Sequence, residues 1–232
     1  DSSGDEDWVT IRQGELVTLC SGTGVGKSSV CRELAYWLMG FGKKVGYIAL
    51  EESVEKTARA MMGIYLNCPQ HYWDFPEEKL KEAFDAAIGN DRLVLYDHFG
   101  SMAWDNLLSK IRYMVLHLGA THIFLDHLSI IVSGIGDGDE RRMIDLAMTR
   151  LRSLTEQTGI ALILVSHLRR PEGRGHEDGA QTSLAQLRGS HAIAQLSDIV
   201  VGLERDQQDE DNPNVTTIRV LKNRFSGECG VC

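Results

Sequence analysis

Leu16-Val17-Thr18-Leu19-Cys20-Ser21-Gly22-Thr23-Gly24-Val25-Gly26-Lys27-Ser28-Ser29 decides the fold. A mostly apolar strand runs into a turn punctuated by Gly22, Gly24 and Gly26, and a helical pattern starts directly after it. Glycines let successive backbone N–H groups curl around a phosphate, and the helix N-terminus adds the positive end of a dipole. The lysine reaches the β/γ-phosphates and the serine hydroxyl ligates magnesium. Lys27 and Ser28 are those residues. Against the GxxxxGK[ST] pattern, Ser21 stands at the first glycine position, while the strand-loop-helix context and the Gly26-Lys27-Ser28 core are intact. Ser21, Gly22, Thr23, Gly24, Val25, Gly26, Lys27, Ser28 and Ser29 form the predicted nucleotide-binding loop. Such a loop says only that a nucleoside triphosphate is bound; the reaction must be read from its partners.

Outward from this loop, strand-like runs at 16–20, 45–50, 92–96, 122–125, 160–166, 198–203 and 215–221 alternate with helical patterns at 27–41, 53–66, 77–88, 104–117 and 140–158. That alternation calls for a parallel sheet covered by helices on both faces. The last two strands are joined by the acidic, Pro- and Asn-containing stretch 206–214, a solvated hairpin loop that puts an antiparallel edge at the C-terminal side. The predicted class is α/β, a mostly parallel twisted sheet. Stretches 133–138 and 169–182 fit neither element, and loops that long in a compact domain are functional or disordered. Residues 1–13, opening on the acidic 1–7, are predicted to be a linker remnant, and 14–232 a single domain.

The chain has 232 residues, 43% of them hydrophobic, enough to bury a sizeable core in one domain. A formal net charge of −9 argues against a protein whose whole surface attracts nucleic acid or membrane. A chain that threads a strand through a pore, however, needs positive charge only on its pore loops. Five cysteines, with Cys20 and Cys31 in a predicted buried strand and helix, suit reduced thiols. Cys229 and Cys232 form a CxxC with no second pair nearby, short of the four ligands of structural zinc. Apolar runs are too short to span a bilayer and no secretory signal precedes the fold, which predicts a soluble cytoplasmic protein, in host cytoplasm if phage-encoded.

Three strand ends supply candidate chemistry. Asp126 closes the strand over 122–125, where a magnesium-organising acid belongs; a helix cap is the alternative reading. Glu51 and Glu52 follow the strand over 45–50, whose tip is expected beside the phosphate loop. A carboxylate there can deprotonate the attacking water, and Glu51 lies nearer the sheet edge. Glu52 reads as helix N-terminal charge. His167 follows the strand over 160–166, at the carboxyl edge where ligands of open α/β sheets collect.

Together with SGTGVGKSS (21–29), the segments KKVGYIALEESVE (43–55), LYDHF (95–99), IFLDHLSIIVS (123–133), DERRMID (139–145), SHLRRP (166–171), QLRGSHAIAQLSD (186–198), LERDQQ (203–208) and LKNRFSG (221–227) resemble the hexameric replicative helicases with a RecA-like core. The likeness is greatest to the helicase half of the short-tailed phage primase-helicases. It runs from about Gly14 to Gly230, and QLRGS…AQLSD is its strongest discriminator.

The resemblance implies a RecA-like P-loop NTPase that hydrolyses ATP or dTTP with Mg²⁺ and works as a homo-hexameric ring, translocating 5′ to 3′ on single-stranded DNA and unwinding duplex at a replication fork. It implies that Glu51 is the catalytic base, His167 the γ-phosphate sensor and Arg224 an arginine finger reaching the neighbouring subunit's nucleotide. Arg205 is similar to the family arginine beside the base, and Gln195 to a family glutamine near nucleotide and DNA. Arg169, Arg170 and Arg174, with Arg188, Gly189 and Ser190, match loops that line the channel and grip single-stranded DNA, where charge and backbone donors suit sequence-independent contact. Ala194 departs from the basic residue of related phage enzymes. A final strand and tail are expected beyond Cys232, and a primase domain before residue 1. Two rivals share part of the pattern: a recombination-type filament ATPase, and an NTP-dependent oligomerisation module with an idle Glu51.

Overall fold

The structure, a computed structural model, describes residues 11–96, 104–128, 140–169, 171, 175–187 and 191–232. Stretches 1–7 and 133–138 lie outside them, as do Arg170, Arg174, Arg188, Gly189 and Ser190. Eight strands form one sheet: β1 Leu16–Ser21, β2 Val45–Ala49, β3 Leu93–Leu95, β4 His122–Asp126, β5 Ala161–His167, β6 Ile199–Glu204, β7 Thr217–Asn223 and β8 Gly230–Val231. Their order is β3-β2-β4-β5-β1-β6-β7-β8. β3 through β6 pair in parallel, and β7 and β8 add antiparallel to the edge.

The helices are α1 Lys27–Gly40, α2 Val54–Leu66, α3 Glu77–Ala87, α4 Trp104–Leu116, α5 Glu140–Thr158 and α6 His191–Leu196, with single 3₁₀ turns at Gln70–Tyr72 and Leu184–Gln186. They divide between the two faces, and the strand residues show why. Along β1, Leu16 and Cys20 join a core with Leu107 and Ile111 of α4, Met148 and Leu151 of α5 and Ile193 of α6. Val17 and Leu19 point the other way, onto Cys31, Ala35 and Leu38 of α1, Met61 of α2 and Ala83 of α3. A strand buried on both faces is apolar at successive positions, as β1 reads. Thr18 is polar within that run, and its hydroxyl bonds the Ser197 hydroxyl at 2.7 Å.

Local chemistry sets the helix ends. Ser53 caps α2 by accepting from the Lys56 amide, and Asn67, in the left-handed region at φ 48°, ends it. The five predicted helices appear within a residue of their expected bounds. The last predicted strand, β7, begins at Thr217 rather than 215, because the Val215 amide closes a turn onto the Asn212 carbonyl, and β8 was not predicted. β6 stops at Glu204, a buried carboxylate that accepts from the Thr182 amide and hydroxyl and from Arg219. These bonds fasten the segment returning from 169–182 across β6, directly over Gly202.

The strand order departs from expectation in one respect. β2 is separated from β1 by β4 and β5, so its tip does not adjoin the phosphate loop along the sheet.

A Cβ on Gly202 would meet the Thr182 hydroxyl oxygen at 2.0 Å, whereas one on Gly40, the last residue of α1, meets nothing within 4 Å. Gly202→Ala is therefore expected to lower stability by about 1–3 kcal/mol through overpacking. Gly40→Ala should leave the chemical-denaturation midpoint unchanged or slightly raised, and equal midpoints for the two variants would show that the crossing at Gly202 is not tight.

Candidate functional site

All the parallel strands point their carboxyl ends to one edge, and the phosphate loop leaves β1 there. Gly24 at φ 79° and Gly26 at φ 103° occupy the left-handed region that glycine alone enters without cost. Gly26 is the N-cap of α1, so the loop ends on a helix N-terminus. Thr23, Gly24 and Ser29 are exposed while Val25 is buried, which leaves the loop crest open and anchors its far side. Lys27, 7% exposed, lies along the loop and donates from Nζ to the Gly22 carbonyl at 2.6 Å and the Ser21 hydroxyl at 3.2 Å. Burial pulls the lysine pKa down, and the negative charge of Asp126 is the main opposing influence.

Asp126 ends β4 and is buried. Burial pushes its carboxyl pKa up, against a hydrogen bond from the Ser28 side chain. That bond brings hydroxyl and carboxylate together, the donor pair a magnesium ion uses when phosphates and water complete its shell. Among the described residues no cluster of three or more His, Cys, Asp or Glu forms a protein-only metal cage. Ser28 and Asp126 thus fit a magnesium carried by a nucleotide.

Glu51 and Glu52 have different environments. Glu52 accepts from Arg32 at 2.6 Å and from the Thr57 hydroxyl at 2.9 Å, and its side chain is 11% exposed. Those partners tie it to α1 and α2. The Glu51 side chain is 59% exposed and meets His127 Nε2 through Oε1 at 2.6 Å. His127, buried just past β4, packs edge-to-face on His167, with ring centroids 4.4 Å apart. β4 lies next to β2, so His127 bridges the gap that the strand order leaves and sets Glu51 toward Lys27 and Asp126, whose charges it feels. His127 was missed from the sequence; its signal was a second side chain capable of proton chemistry just past the strand-end acid.

His167 is the last residue of β5, one position inside the strand relative to expectation, and pairs in register with Ser21 at the root of the phosphate loop. The chain beyond it is held in place. The Leu168 amide donates to Ser21, Leu168 bridges Leu187, and the Arg169 amide donates to the Gln186 carbonyl at 2.8 Å. The two loops expected to touch DNA therefore share one base. Of their predicted contacts only Arg169 is described, and it is exposed.

Arg205, past the end of β6, bonds the Pro213 carbonyl and Asn214, and lines a groove with Val25, Gly26 and Ser29. Two residues on, the Gln207 side chain donates to the Gly24 carbonyl at 2.9 Å, which brings the segment after β6 to the phosphate loop. Arg224 and Gln195 are not brought there. Arg224 donates to Asp198 at 3.1 Å and to the Gln195 carbonyl at 2.8 Å, and Asp198 also accepts from the Leu16 amide. Leu16 opens β1, so these groups sit at the amino edge, about 16 Å along the strand from Ser21 at 3.3 Å per residue. Cys229 and Cys232 are exposed thiols, and Cys20, buried, has its pKa pushed up to about 12.

The profile of the DnaB-like helicase C terminal domain matches residues 5–232. A DNA helicase/primase of Enterobacteria phage T3 is 42% identical over 228 residues, covering 95% of this chain and 40% of that protein. A probable plasmid replicative DNA helicase of Chlamydia trachomatis is 26% identical over 227 residues, 95% of this chain and 48% of its own length. The chain thus spans less than half the length of these relatives. Two solved structures share the fold at 18% identity: the ATPase domain of G40P, with a TM-score of 0.78 over 95% of this chain and 80% of that one, and a DnaB-like replicative helicase studied with primase, with a TM-score of 0.80 over 95% and 55%. With the phosphate loop, strand-end acid and RecA-like sheet in place, the chain belongs to the DnaB-like helicase C-terminal domain family.

Proposed function

We propose that this domain hydrolyses a nucleoside triphosphate, ATP or dTTP, to drive movement along single-stranded DNA and unwind duplex at a replication fork, as part of a ring of identical subunits. The observation that carries the reading is the continuity from Lys27, through the paired Ser21 and His167, to the common base of the two loops beyond. A phosphate group arriving or leaving at one end of that path bears directly on the other.

In this mechanism the loop amides and Lys27 hold the β- and γ-phosphates, and Ser28 and Asp126 would hold magnesium, which would supply positive charge against that developing on the phosphoryl oxygens. Glu51, steered by His127, accepts the proton of the attacking water, while Glu52 stays committed to Arg32 and Thr57. His167 reads the γ-phosphate. Arg205 flanks the base. Arg224 serves the nucleotide of the adjoining subunit, a role favoured by its distance from its own phosphate loop, and Gln195, bonded beside it, goes with it to that interface. Arg169, with Arg170, Arg174, Arg188, Gly189 and Ser190, contacts the DNA backbone.

Glu51→Gln is expected to lose multiple-turnover hydrolysis, by about 10²–10⁴-fold for a lost general base, and Glu52→Gln to retain turnover with reduced stability. Equal losses in the two variants would remove Glu51 from the base role. Trans action makes a sharper demand on Arg224. Lys27→Ala and Arg224→Ala should each be inactive, the latter by about 10³-fold or more for an arginine finger, yet subunits of the two mixed together should recover turnover, because one interface in the mixture pairs an intact Lys27 with an intact Arg224. Persistent turnover in Arg224→Ala alone would sink the finger assignment.

A further inference from the structure

Gly22 raises a question that phosphate binding does not answer. Unlike Gly24 and Gly26 it has no positive φ, so its backbone does not require glycine. It requires space: a Cβ there would lie 2.5 Å from the His176 Cβ and 3.0 Å from its Cγ. His176 is only 2% exposed and sits beneath the phosphate loop on a tight turn closed by the Gly179 amide on the His176 carbonyl and the Ala180 amide on Gly175. Its ring nitrogens face two carbonyls, Ala180 at 3.4 Å from Nδ1 and Arg169 at 3.3 Å from Nε2. The second contact reaches the start of the arginine-bearing loop after β5.

The same turn is held from its other side. Asp178 bridges Asp206, the Gln207 amide donates to the Glu177 carbonyl at 3.0 Å, and the Gln207 side chain donates to the Gly24 carbonyl at 2.9 Å. Three segments far apart in sequence meet here: the phosphate loop at Gly22 and Gly24, the turn over 175–180, and the start of the β6–β7 connection. Dense packing transmits displacement, since a shift of Gly22 must displace His176.

We propose that His176 and Gln207 are positioning residues that couple the phosphate loop to the loop beginning at Arg169, so that nucleotide occupancy sets the geometry of that loop through this junction as well as through His167. The proposal rests on the reading of that loop as the DNA contact only for its effect on turnover; the mechanical link stands apart from it.

The test uses the purified chain in two measurements. Hydrogen exchange followed by mass spectrometry, with and without a non-hydrolysable ATP analogue and magnesium, should show nucleotide-dependent protection of peptides covering 175–187. His176→Ala should lose that protection, and Gln207→Ala, which removes one exposed contact and leaves the core untouched, should weaken it. Steady-state hydrolysis with and without oligo(dT) should then show the ratio of DNA-stimulated to basal turnover reduced about 5-fold or more in His176→Ala, the low end of ordinary coupling energies, with basal turnover and KM for nucleotide held near wild type. His176→Gln, which can still donate toward the Arg169 carbonyl, should restore part of the ratio. Wild-type exchange over 175–187 that ignores nucleotide would overturn the proposal, as would protection and stimulation surviving intact in both variants. Nucleotide-dependent protection in a wild-type chain that oligo(dT) fails to stimulate would uphold the junction and fault the DNA reading alone.

Discussion

The parallel pairing of β1 with β5, Leu16 against Leu162 through Ser21 against His167, is the constraint on which the other features of the site depend. Parallel strands bring their carboxyl ends to the same edge, so the phosphate loop and His167 arise at one level. Both strands are buried on two faces by helices, and their apolar side chains hold that level fixed. A slip of one residue in this register would turn Leu16 and Cys20 toward the wrong core and move His167 away from Ser21. The same register carries the Leu168 amide onto the Ser21 carbonyl, which ties the chain beyond His167 to the root of the phosphate loop.

Charge placement at this edge follows from burial. Lys27 and Asp126 are both largely withdrawn from water, and each is shifted toward its neutral form, the lysine downward and the aspartate upward. The Asp126 charge offsets part of the cost of burying Lys27, and the Ser28 side chain and His127 offset part of that for Asp126. A triphosphate with magnesium brings charges of both signs to this pair. By contrast Glu51 stays exposed, held by a single imidazole contact, which leaves its second oxygen able to face water.

The sequence revealed the phosphate loop and the helices because their signals are local. GKS after an apolar strand needs no tertiary knowledge, and 3.6-residue periodicity over a dozen positions marks α1 through α5. Helix α6 escaped because six residues, His191–Leu196, are too few to show a period. Strand order escaped because it is a property of pairing, not of any one segment: nothing in 45–50 says that β4 and β5 lie between it and β1. For that reason the contact of His127 with Glu51 could not be read either, since it depends on β4 lying beside β2. Gly22 was read as glycine for phosphate's sake alone, because the side chain that leaves no room for a Cβ there lies 154 positions away.

The amino edge of the sheet follows the same logic with a different outcome. Asp198 receives the Leu16 amide, Arg152 from α5 and Arg224 from the end of β7, while the Lys222 ammonium reaches the Ala194 and Ser197 carbonyls at 2.6 Å each. Lysine and arginine thus sit at the C-terminal end of α6, where the helix dipole favours positive charge. That arrangement carries a physical consequence for the trans role proposed for Arg224. Its side chain is 52% exposed and its guanidinium, with five donors, makes two bonds on the structure described. In that role Arg224 would have to exchange Asp198 and the Gln195 carbonyl for a phosphate. The Lys222 contacts with the Ala194 and Ser197 carbonyls would still hold the end of α6. With Arg224 drawn outward, the buried Asp198 would keep the Leu16 amide and Arg152 as its partners.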